Sequence, residues 1–483
     1  MLLAATFAIN SALNFVMGLL IARFLGPAQF GLYALGAALL VLVNAFAIDW
    51  LKLSTIRFYS KSKRESEPAI RATLDGLAAL CTLALLVPLL VALLMGVDLK
   101  IPTAIAAAAV AAGVIGGLFD YQQAVARARE EDATYVRMVL VKNVLALLLM
   151  VGGAWWSQDP ALVLLGSAIS SLAALMVVRR SLADAALDLK AMDAAQIRIF
   201  ASYAFPLVAT NVLLSTIPLL NRSAMASQYG LAEAGYFSLA SDIGVKLMGT
   251  LGATLEIMLL PLAVRALDRD GPAAAHARIR RNLVIVIAVI LPVGAGLLLV
   301  MPAFENLVVP AAYNGHFSSY VWLLMPGLVA MPIMQVGFNP VFLLSRKTAI
   351  STLSALVAVG INGVFICFIT LGPAASLDPG PSAIAGAMSV AFVAAAMIVA
   401  AGALRRAAIL PSVRDAVAIS VALLAMSLAL WPLRQGQPAI LTLGLQILAG
   451  AVIYGGVLLA ANVSGCRSAA LAVLRARTAR ASA

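Results

Sequence analysis

The sequence predicts an all-α protein that crosses a membrane about 14 times. Of its 483 residues, 63% are hydrophobic and 11% are charged, a composition that excludes an ordinary soluble domain. Apolar windows of about 20 residues, the length that a helical span needs, fill almost the whole chain. Lysines and arginines fall in every second gap between those windows, as expected for the cytoplasmic loops of a polytopic membrane protein.

Short gaps separate the predicted spans. The spans are 2–22, 31–52, 73–95, 102–125, 137–156, 161–178, 203–221, 235–263, 282–302, 319–344, 349–371, 382–403, 415–431 and 438–461. An even number of spans places both termini on one side of the membrane. The basic tail at 463–483 indicates that this side is the cytoplasm.

Charge is distributed unevenly between the two sides. The gap after the second span holds Arg57, Lys61, Lys63, Arg64 and Arg71, whereas the gaps predicted on the outer side hold at most one cation each. The net charge of +12 is not read as a nucleic-acid signal, because the cations lie in short loops beside spans. The first span is an exception, because no basic residue precedes it and Arg23 follows it. Two explanations stay open: the next basic loop outweighs Arg23, or the natural start lies upstream of Met1.

A polar stretch divides the chain into two halves. The predicted organisation is an N-terminal six-helix lobe at 1–180, a cytoplasmic linker at 181–200, a second six-helix lobe at 201–404, two additional helices at 405–462 and a basic tail at 463–483.

An internal repeat supports this division. Residues 27–35 read PAQFGLYAL and residues 231–239 read LAEAGYFSL, and each copy opens the span that follows it. Both copies contain a glycine, an aromatic-containing pair, a small residue and a leucine in that order. Six spans separate the copies, so the halves run in parallel and their symmetry axis should lie along the membrane normal.

The eighth predicted span carries three charged residues, Asp242, Lys246 and Glu256. At about 100° per residue, all three share one face of a helix. One interpretation is a polar stripe along a water-filled cavity, since charges at mid-membrane are costly and usually face water or a partner. The alternative is an Asp242–Lys246 pair that neutralises itself, but this pairing does not account for Glu256.

The seventh span carries polar residues on one face. Asn211, Ser215, Pro218 and Arg222 follow one another at helical spacing, and Pro218 permits a bend. The functional interpretation places Asn211 and Arg222 in the same cavity. The alternative is a kinked packing helix whose Arg222 extends outward to the membrane surface.

The second span ends with Asp49 and Lys52, one turn apart. Lys52 follows Gly31 at the same spacing as Glu256 follows Gly235, so the repeat places opposite charges at equivalent depth. These two residues could pair across the halves, and chance explains the match equally well.

Two further groups lie near the predicted cytoplasmic side. Asp120, Gln123 and Arg127 share a helix face, as expected for either a substrate access site or a solvated helix end. Lys142 is expected to extend to the cytoplasmic surface.

The sequence offers no pattern typical of an enzyme. It has no glycine-rich phosphate loop followed by Lys and Ser or Thr, so ATP hydrolysis is not expected. No nucleophile and base stand out, and the two histidines lack neighbours with metal-ligand spacing. We therefore expect no enzymatic activity, no cofactor and no metal.

Residues 23–33, RFLGPAQFGLY, resemble the opening of polysaccharide-biosynthesis flippases in the multidrug/oligosaccharidyl-lipid/polysaccharide exporter superfamily. Members of that family commonly show an arginine, a Leu-Gly and then an aromatic-Gly before the second span. The resemblance implies two six-helix lobes around a central cavity, with two extra C-terminal helices. It also implies alternating-access translocation of an undecaprenyl-pyrophosphate-linked oligosaccharide across the bacterial inner membrane, for O-antigen, capsule or exopolysaccharide synthesis.

The implied substrate assigns roles to the polar residues. Cationic or polar groups of the cavity would contact the pyrophosphate and sugar as charge-assisted donors: Arg23, Lys52, Asn211, Arg222 and Lys246. The carboxylates would bind a coupling ion: Asp49, Asp242 and Glu256. Expected partners are the lipid-linked oligosaccharide, membrane lipids, and as candidates a polysaccharide polymerase and a chain-length regulator; nucleic acid is not expected.

Two other functions stay open from sequence alone. One is an ion-coupled multidrug/cation antiporter of the same superfamily, whose cavity should be dominated by carboxylates and aromatics. The other is an integral polymerase or glycosyltransferase, which should carry a long outer loop or a catalytic carboxylate cluster. For the flippase, we expect Arg222→Ala or Lys246→Ala to abolish polysaccharide export without lowering protein abundance.

Overall fold

The protein is entirely helical in the parts that the computed structural model describes, which are residues 2–94, 102–183, 192–345, 349–370, 379–435 and 439–468. No strand occurs within these ranges. Among the described residues, eleven helices are long and apolar enough to cross a membrane, or up to 12 if one bent pair counts as a single span. The predicted all-α polytopic architecture is therefore confirmed.

The helices of the N-terminal part begin and end as follows. They are α1 Leu2–Ala47, α2 Asp49–Phe58, α3 Lys63–Ser66, α4 Pro68–Leu94, α5 Thr103–Ala128, α6 Asp132–Ala146, α7 Gly152–Ser157 and α8 Pro160–Leu182. A π-helical segment, Leu147–Val151, joins α6 to α7 within the predicted fifth span.

The remaining helices complete the chain. They are α9 Ala194–Tyr229, α10 Leu231–Leu299, α11 Met301–Val308, α12 His316–Pro332, α13 Asn339–Leu344, α14 Ala349–Thr370, α15 Pro381–Leu404, α16 Val413–Leu430 and α17 Ile440–Ala461. A second π-helical segment, Ile333–Phe338, joins α12 to α13 inside the predicted tenth span.

Two of these helices are broken at glycines. Gly26 in α1 has φ 70° and Gly271 in α10 has φ 82°, and a proline follows each one. A side chain is disfavoured at this backbone conformation, and proline suits the first turn of the helix that resumes. Each break divides one long helix into two apolar segments, so the helices correspond to about the 14 spans that were predicted.

The second predicted span ends earlier than expected. α1 stops at Ala47, Ile48 leaves helical geometry at φ −121°, and α2 begins at Asp49. The indole nitrogen of Trp50 donates to the carbonyl oxygen of Ala47 at 2.9 Å, which satisfies a backbone acceptor at the break. The break places Asp49 in the first turn of a separate short helix.

The chain forms two compact units. The first comprises Met1–Leu239 and Asn362–Ile384, and the second comprises Ala240–Ile361 and Ala385–Ala483. The first unit therefore includes α9 and the start of α10 as well as the predicted N-terminal lobe. The division into lobes at 1–180 and 201–404 stays a prediction.

The core of the first unit surrounds α5, which packs against α1, α2, α4, α6 and α8. Buried side chains such as Leu51, Leu74, Val125 and Met138 form one cluster. Arg129 links residues of this cluster. Its guanidinium donates to the Tyr59 hydroxyl at 3.1 Å and to a backbone oxygen of α8 at 3.2 Å.

The second unit is joined by close contacts between its helices. Gly327 of α12 packs directly on the backbone of Ser389 in α15, and its amide donates to the Ser389 hydroxyl at 2.9 Å. The Tyr454 hydroxyl of α17 donates to the Ala288 carbonyl of α10 at 2.9 Å. The two additional C-terminal helices therefore belong to the second unit.

Candidate functional site

The two copies of the sequence repeat pack against each other within the first unit. A Cβ atom on Gly31 would overlap the carbonyl oxygen of Leu231 and lie 3.1 Å from the Gly235 nitrogen. A Cβ atom on Gly235 would overlap the carbonyl oxygen of Pro27 and lie 3.2 Å from the Gly31 nitrogen. Gly31 thus contacts the residue four positions before Gly235, and Gly235 contacts the residue four positions before Gly31. This reciprocal pattern means that a local two-fold axis relates the two copies. We name this contact the glycine crossing.

Arg222 of α9 lies beside the glycine crossing. Its Nη1 atom donates to the Ala34 carbonyl oxygen at 2.9 Å, and the residue is only 5% exposed. The alternative in which Arg222 extends outward is therefore wrong, because a backbone acceptor inside the first unit holds the guanidinium. The role of Arg222 in pyrophosphate binding stays a prediction.

The buried position of Arg222 gives a stability prediction. We expect Arg222→Ala to lower the free energy of unfolding by about 2 kcal/mol, because a charged donor is lost from a buried carbonyl. This revises the expectation that the substitution leaves protein abundance unchanged. Thermal unfolding in detergent measures the change, with Arg222→Lys as the variant that keeps the charge. An unaltered unfolding temperature for Arg222→Ala would show that the contact contributes nothing.

The predicted face of α9 is only partly shared by its members. Asn211 is exposed, whereas Arg222 is buried eleven residues further along the helix. The bend of α9, 48°, lies between Phe205 and Val208 rather than at Pro218. Asn211 and Arg222 are therefore on one helix but in different surroundings.

A group of charged residues lies inside the first unit, where α1, α2, α5 and α6 meet. The Lys52 amine is 3.4 Å from an Asp49 carboxylate oxygen. The Asn44 side-chain amide donates to the Asp120 carboxylate at 3.2 Å. Asp120 interacts electrostatically with both Asp49 and Lys142. These two carboxylates and two lysines balance one another in charge.

Lys142 corrects one expectation from the sequence. Its amine lies 4.3 Å from the ring centroid of Phe119, a residue that is 2% exposed. The prediction that Lys142 extends to the cytoplasmic surface is wrong, because an aromatic face and the neighbouring Asp120 attract the amine inward. Asn44 and Lys142 are the residues of this group that the sequence did not mark as functional, since polar side chains on separate helices carry no signal of their pairing.

The predicted access site is divided by the structure. Arg127 donates to Gln123 at 3.3 Å and to the Tyr135 hydroxyl at 2.9 Å, and all of these contacts are exposed. Asp120 instead points to Asn44. The solvated helix end is thus the better description of Gln123 and Arg127.

Four predicted site residues remain to be described, one on α1 and three on α10. Arg23 is exposed on α1 in the first unit. On α10 in the second unit, Lys246 and Glu256 are exposed and Asp242 is half-buried. A Cβ atom on Gly249, between these charges, would meet nothing within 4 Å. We name the face of α10 that carries Asp242, Lys246 and Glu256 the α10 stripe, and within it Lys246, Gly249 and Glu256 are exposed.

Metal coordination has no support in the described part of the chain. Among those residues, no three or more His, Cys, Asp or Glu side chains come together in a way that could hold a metal ion.

Two solved structures, among others, have a similar fold. The lipid II flippase MurJ, in an inward closed conformation, is similar over 94% of this chain and 97% of its own, with a TM-score of 0.73 and 14% identity. An inward-facing multidrug resistance MATE family transporter of the MOP superfamily is similar over 83% of this chain and 94% of its own, with a TM-score of 0.54 and 16% identity. At such identities the likeness shows the fold alone.

Sequence comparison assigns the family. No curated protein matches the chain. The family described as "Polysaccharide biosynthesis protein" matches residues 1–267, which is more than half of the 483 residues. The chain is therefore a member of the polysaccharide biosynthesis protein family, with the helical membrane fold also seen in MurJ and MATE transporters.

Proposed function

We propose that this protein is a flippase that moves an undecaprenyl-pyrophosphate-linked oligosaccharide across the bacterial inner membrane by alternating access. The translocated unit would serve O-antigen, capsule or exopolysaccharide synthesis. Both termini would lie in the cytoplasm, and a polysaccharide polymerase with a chain-length regulator would act on the product. The chain itself would catalyse no covalent step.

The observation that carries the proposal is the α10 stripe in a member of this family. Lys246 and Glu256 are exposed on a helix that is otherwise apolar enough to cross a membrane. A charged side chain facing lipid at mid-membrane costs at least about 2.5–3.5 kcal/mol, so the stripe is expected to face water. A hydrated path is what the head group of a lipid-linked sugar requires.

The chemistry of the stripe suits a pyrophosphate. Moving this group through hydrocarbon is slow, because its charges and the sugar hydroxyls must lose water. The Lys246 ammonium can replace part of that hydration by charge-assisted hydrogen bonds. Arg23, Lys52, Asn211 and Arg222 remain proposed contributors, although Lys52 is already paired with Asp49 and Arg222 with a backbone carbonyl.

Energy for the cycle would come through a carboxylate. Asp49, Asp242 and Glu256 are the proposed coupling-ion ligands. One charge crossing 100 mV contributes about 2.3 kcal/mol, which is enough to bias a transport cycle. Of the three, Asp242 and Glu256 share the helix face of Lys246, so ion binding there would change the field that a bound pyrophosphate meets.

A second candidate function is an ion-coupled multidrug/cation antiporter. The observation favouring it is the presence of two carboxylates, Asp49 and Asp120, in the interior of the first unit. The neighbouring Lys52 and Lys142 balance these charges, and this balance disfavours a site for a cationic drug.

Reconstitution distinguishes the two functions. Purified protein in liposomes, with a fluorescent undecaprenyl-pyrophosphate disaccharide in both leaflets, is exposed to a membrane-impermeant quencher. We expect the inner-leaflet fraction to become quenched at least about tenfold faster than in protein-free liposomes. A fluorescent phosphatidylcholine serves as the control and should not move faster. Proton-driven efflux of a cationic dye without lipid movement would instead support the antiporter and overturn the flippase.

A further inference from the structure

A pocket of about 590 Å³ opens in the first unit between α4, α5 and α8, separate from the residues proposed above for transport. Its polar lining includes Arg71, Asp75, Tyr121 and Gln122, with Arg179 at one edge. Its apolar lining includes Leu83, Leu118, Leu175 and Met176. Along α4, Arg71 and Asp75 come first and Leu83 follows eight residues after Asp75, so we distinguish a polar end and an apolar end of the lining.

The polar end is built around a fixed guanidinium. Arg71 is 5% exposed, and its Nε lies 2.9 Å from an Asp75 carboxylate oxygen. Its Nη2 donates to the Gln122 side chain at 3.1 Å. The Tyr121 hydroxyl in turn donates to Asp75 at 2.8 Å. These contacts hold Arg71 in one orientation before any ligand arrives.

The charge at this end is positive. Arg179, in the last turn of α8, is exposed and adds a second guanidinium to the same lining. Among the lining residues that the structure describes, Asp75 is the only carboxylate, and it already pairs with Arg71 and accepts a hydrogen bond from Tyr121. Two cations against one anion leave a net attraction for a phosphate group.

The other end of the pocket is suited to a hydrocarbon chain. Leu83 lies twelve residues beyond Arg71 on α4, a distance of about 18 Å along a helix. Leu83 is 56% exposed and Met176 is 59% exposed, although both lie on helices apolar enough to span a membrane. The pocket thus runs from a cationic end to an open apolar end along one helix.

Sequence patterning orients the pocket in the bilayer. Arg71 and Arg179 both fall in the basic gaps that are predicted to be cytoplasmic. The cationic end therefore lies at the depth of the inner-leaflet head groups, and the apolar end lies among the acyl chains. Basic pockets between transmembrane helices at this depth are suited to anionic lipids.

We propose that this pocket binds an anionic phospholipid of the cytoplasmic leaflet. Its phosphate contacts the guanidinium groups of Arg71 and Arg179, and one acyl chain lies along Leu83 and Met176. The site is distinct from the transport path, because none of its lining residues belongs to the α10 stripe. A bound lipid would also bridge α4 to α8 within the first unit.

Arg179 and Arg180 provide a matched pair for the test. Both are exposed, they are adjacent in α8, and only Arg179 lines the pocket. Delipidated full-length protein is titrated with phosphatidylglycerol or phosphatidylcholine, and binding is followed by native mass spectrometry. We expect tighter binding of phosphatidylglycerol, a five- to tenfold loss for Arg179→Gln and a larger loss for Arg179→Glu, with Arg180→Gln close to the wild type.

A second measurement locates the lipid. Phosphatidylglycerol carrying a diazirine on its acyl chain should crosslink to the segments around Leu83 and Met176, and Arg179→Glu should abolish this crosslink. Equal binding of phosphatidylcholine, or equal losses for Arg179→Gln and Arg180→Gln, would overturn the proposal in favour of diffuse attraction. Stronger competition by undecaprenyl pyrophosphate than by phosphatidylglycerol would overturn it by assigning the pocket to a polyprenyl lipid.

Discussion

Replacing Gly31 with alanine is expected to cost about 3 kcal/mol or more of folding free energy and to remove most of the folded protein from the membrane. The new methyl group would occupy the position of the Leu231 carbonyl oxygen. That oxygen belongs to helix backbone and cannot move away as a flexible side chain could. The two helices must therefore separate, and the packing around the glycine crossing is lost with them.

The symmetric partner sharpens this test. Gly235→Ala should cost a similar amount, because its methyl group would overlap the Pro27 carbonyl oxygen. The double variant should lose less folding free energy than the sum of the losses of the two single variants, because the first substitution already separates the helices. Unfolding temperatures in detergent, measured by size-exclusion chromatography after heating, give all three values.

Gly116→Ala is the matched control. Gly116 lies within α5, and a Cβ atom there would meet nothing within 4 Å. The free energy of unfolding of Gly116→Ala should stay within about 1 kcal/mol of the wild-type value, and the higher helix propensity of alanine favours a slight gain. Two results would contradict the glycine crossing. One is that the losses of unfolding free energy of Gly31→Ala and Gly235→Ala add up fully in the double variant. The other is that Gly116→Ala loses as much stability as either of them.

Lys246→Gln is expected to reduce flipping at least about tenfold, which corresponds to about 1.4 kcal/mol in the barrier. Glutamine keeps most of the length of the side chain and hydrogen-bond donors but removes the positive charge. Lys246→Arg should retain most of the activity, because guanidinium also binds phosphate groups. The measurement is the quenching rate in reconstituted liposomes at equal protein content.

The exposed position of Lys246 allows a loss of flipping to be distinguished from a loss of folded protein. Lys246 is exposed, so we expect abundance and unfolding temperature to stay near those of the wild type. Lys63→Gln, which removes a half-buried lysine that pairs with Glu67 between α2 and α4, is the control and should flip at the wild-type rate. Wild-type flipping by Lys246→Gln would remove the α10 stripe from the substrate path.

Hydropathy and charge pattern together predicted much of the fold. Spans of about 20 apolar residues follow from bilayer thickness, so the all-α polytopic architecture was predictable, whereas the count of 14 spans is only approximate. The positions at which the helices break were harder to predict from the sequence. Gly26 and Gly271 mark two of them through a following proline, whereas nothing in the residues around Ile48 indicates that α1 ends there.

The candidate site was harder to predict, because pairing depends on how neighbouring helices are rotated. The sequence placed Asp49 beside Lys52 correctly, since they are one turn apart on one helix. It could not show that Asn44 meets Asp120, or that Lys142 turns toward Phe119, since these contacts join separate helices. Arg71 and Asp75 were within reach of sequence reasoning, because a cation and an anion four residues apart can pair on one helix.

The glycine crossing also bears on motion. The atoms nearest to Gly31 and Gly235 at this contact belong to the backbone of the opposite helix. Helices that meet through side chains must repack them whenever the angle between the helices changes, but two bare backbones can swivel about their point of contact. We therefore expect that a change in the angle between α1 and the start of α10 would require little side-chain repacking at the two glycines themselves.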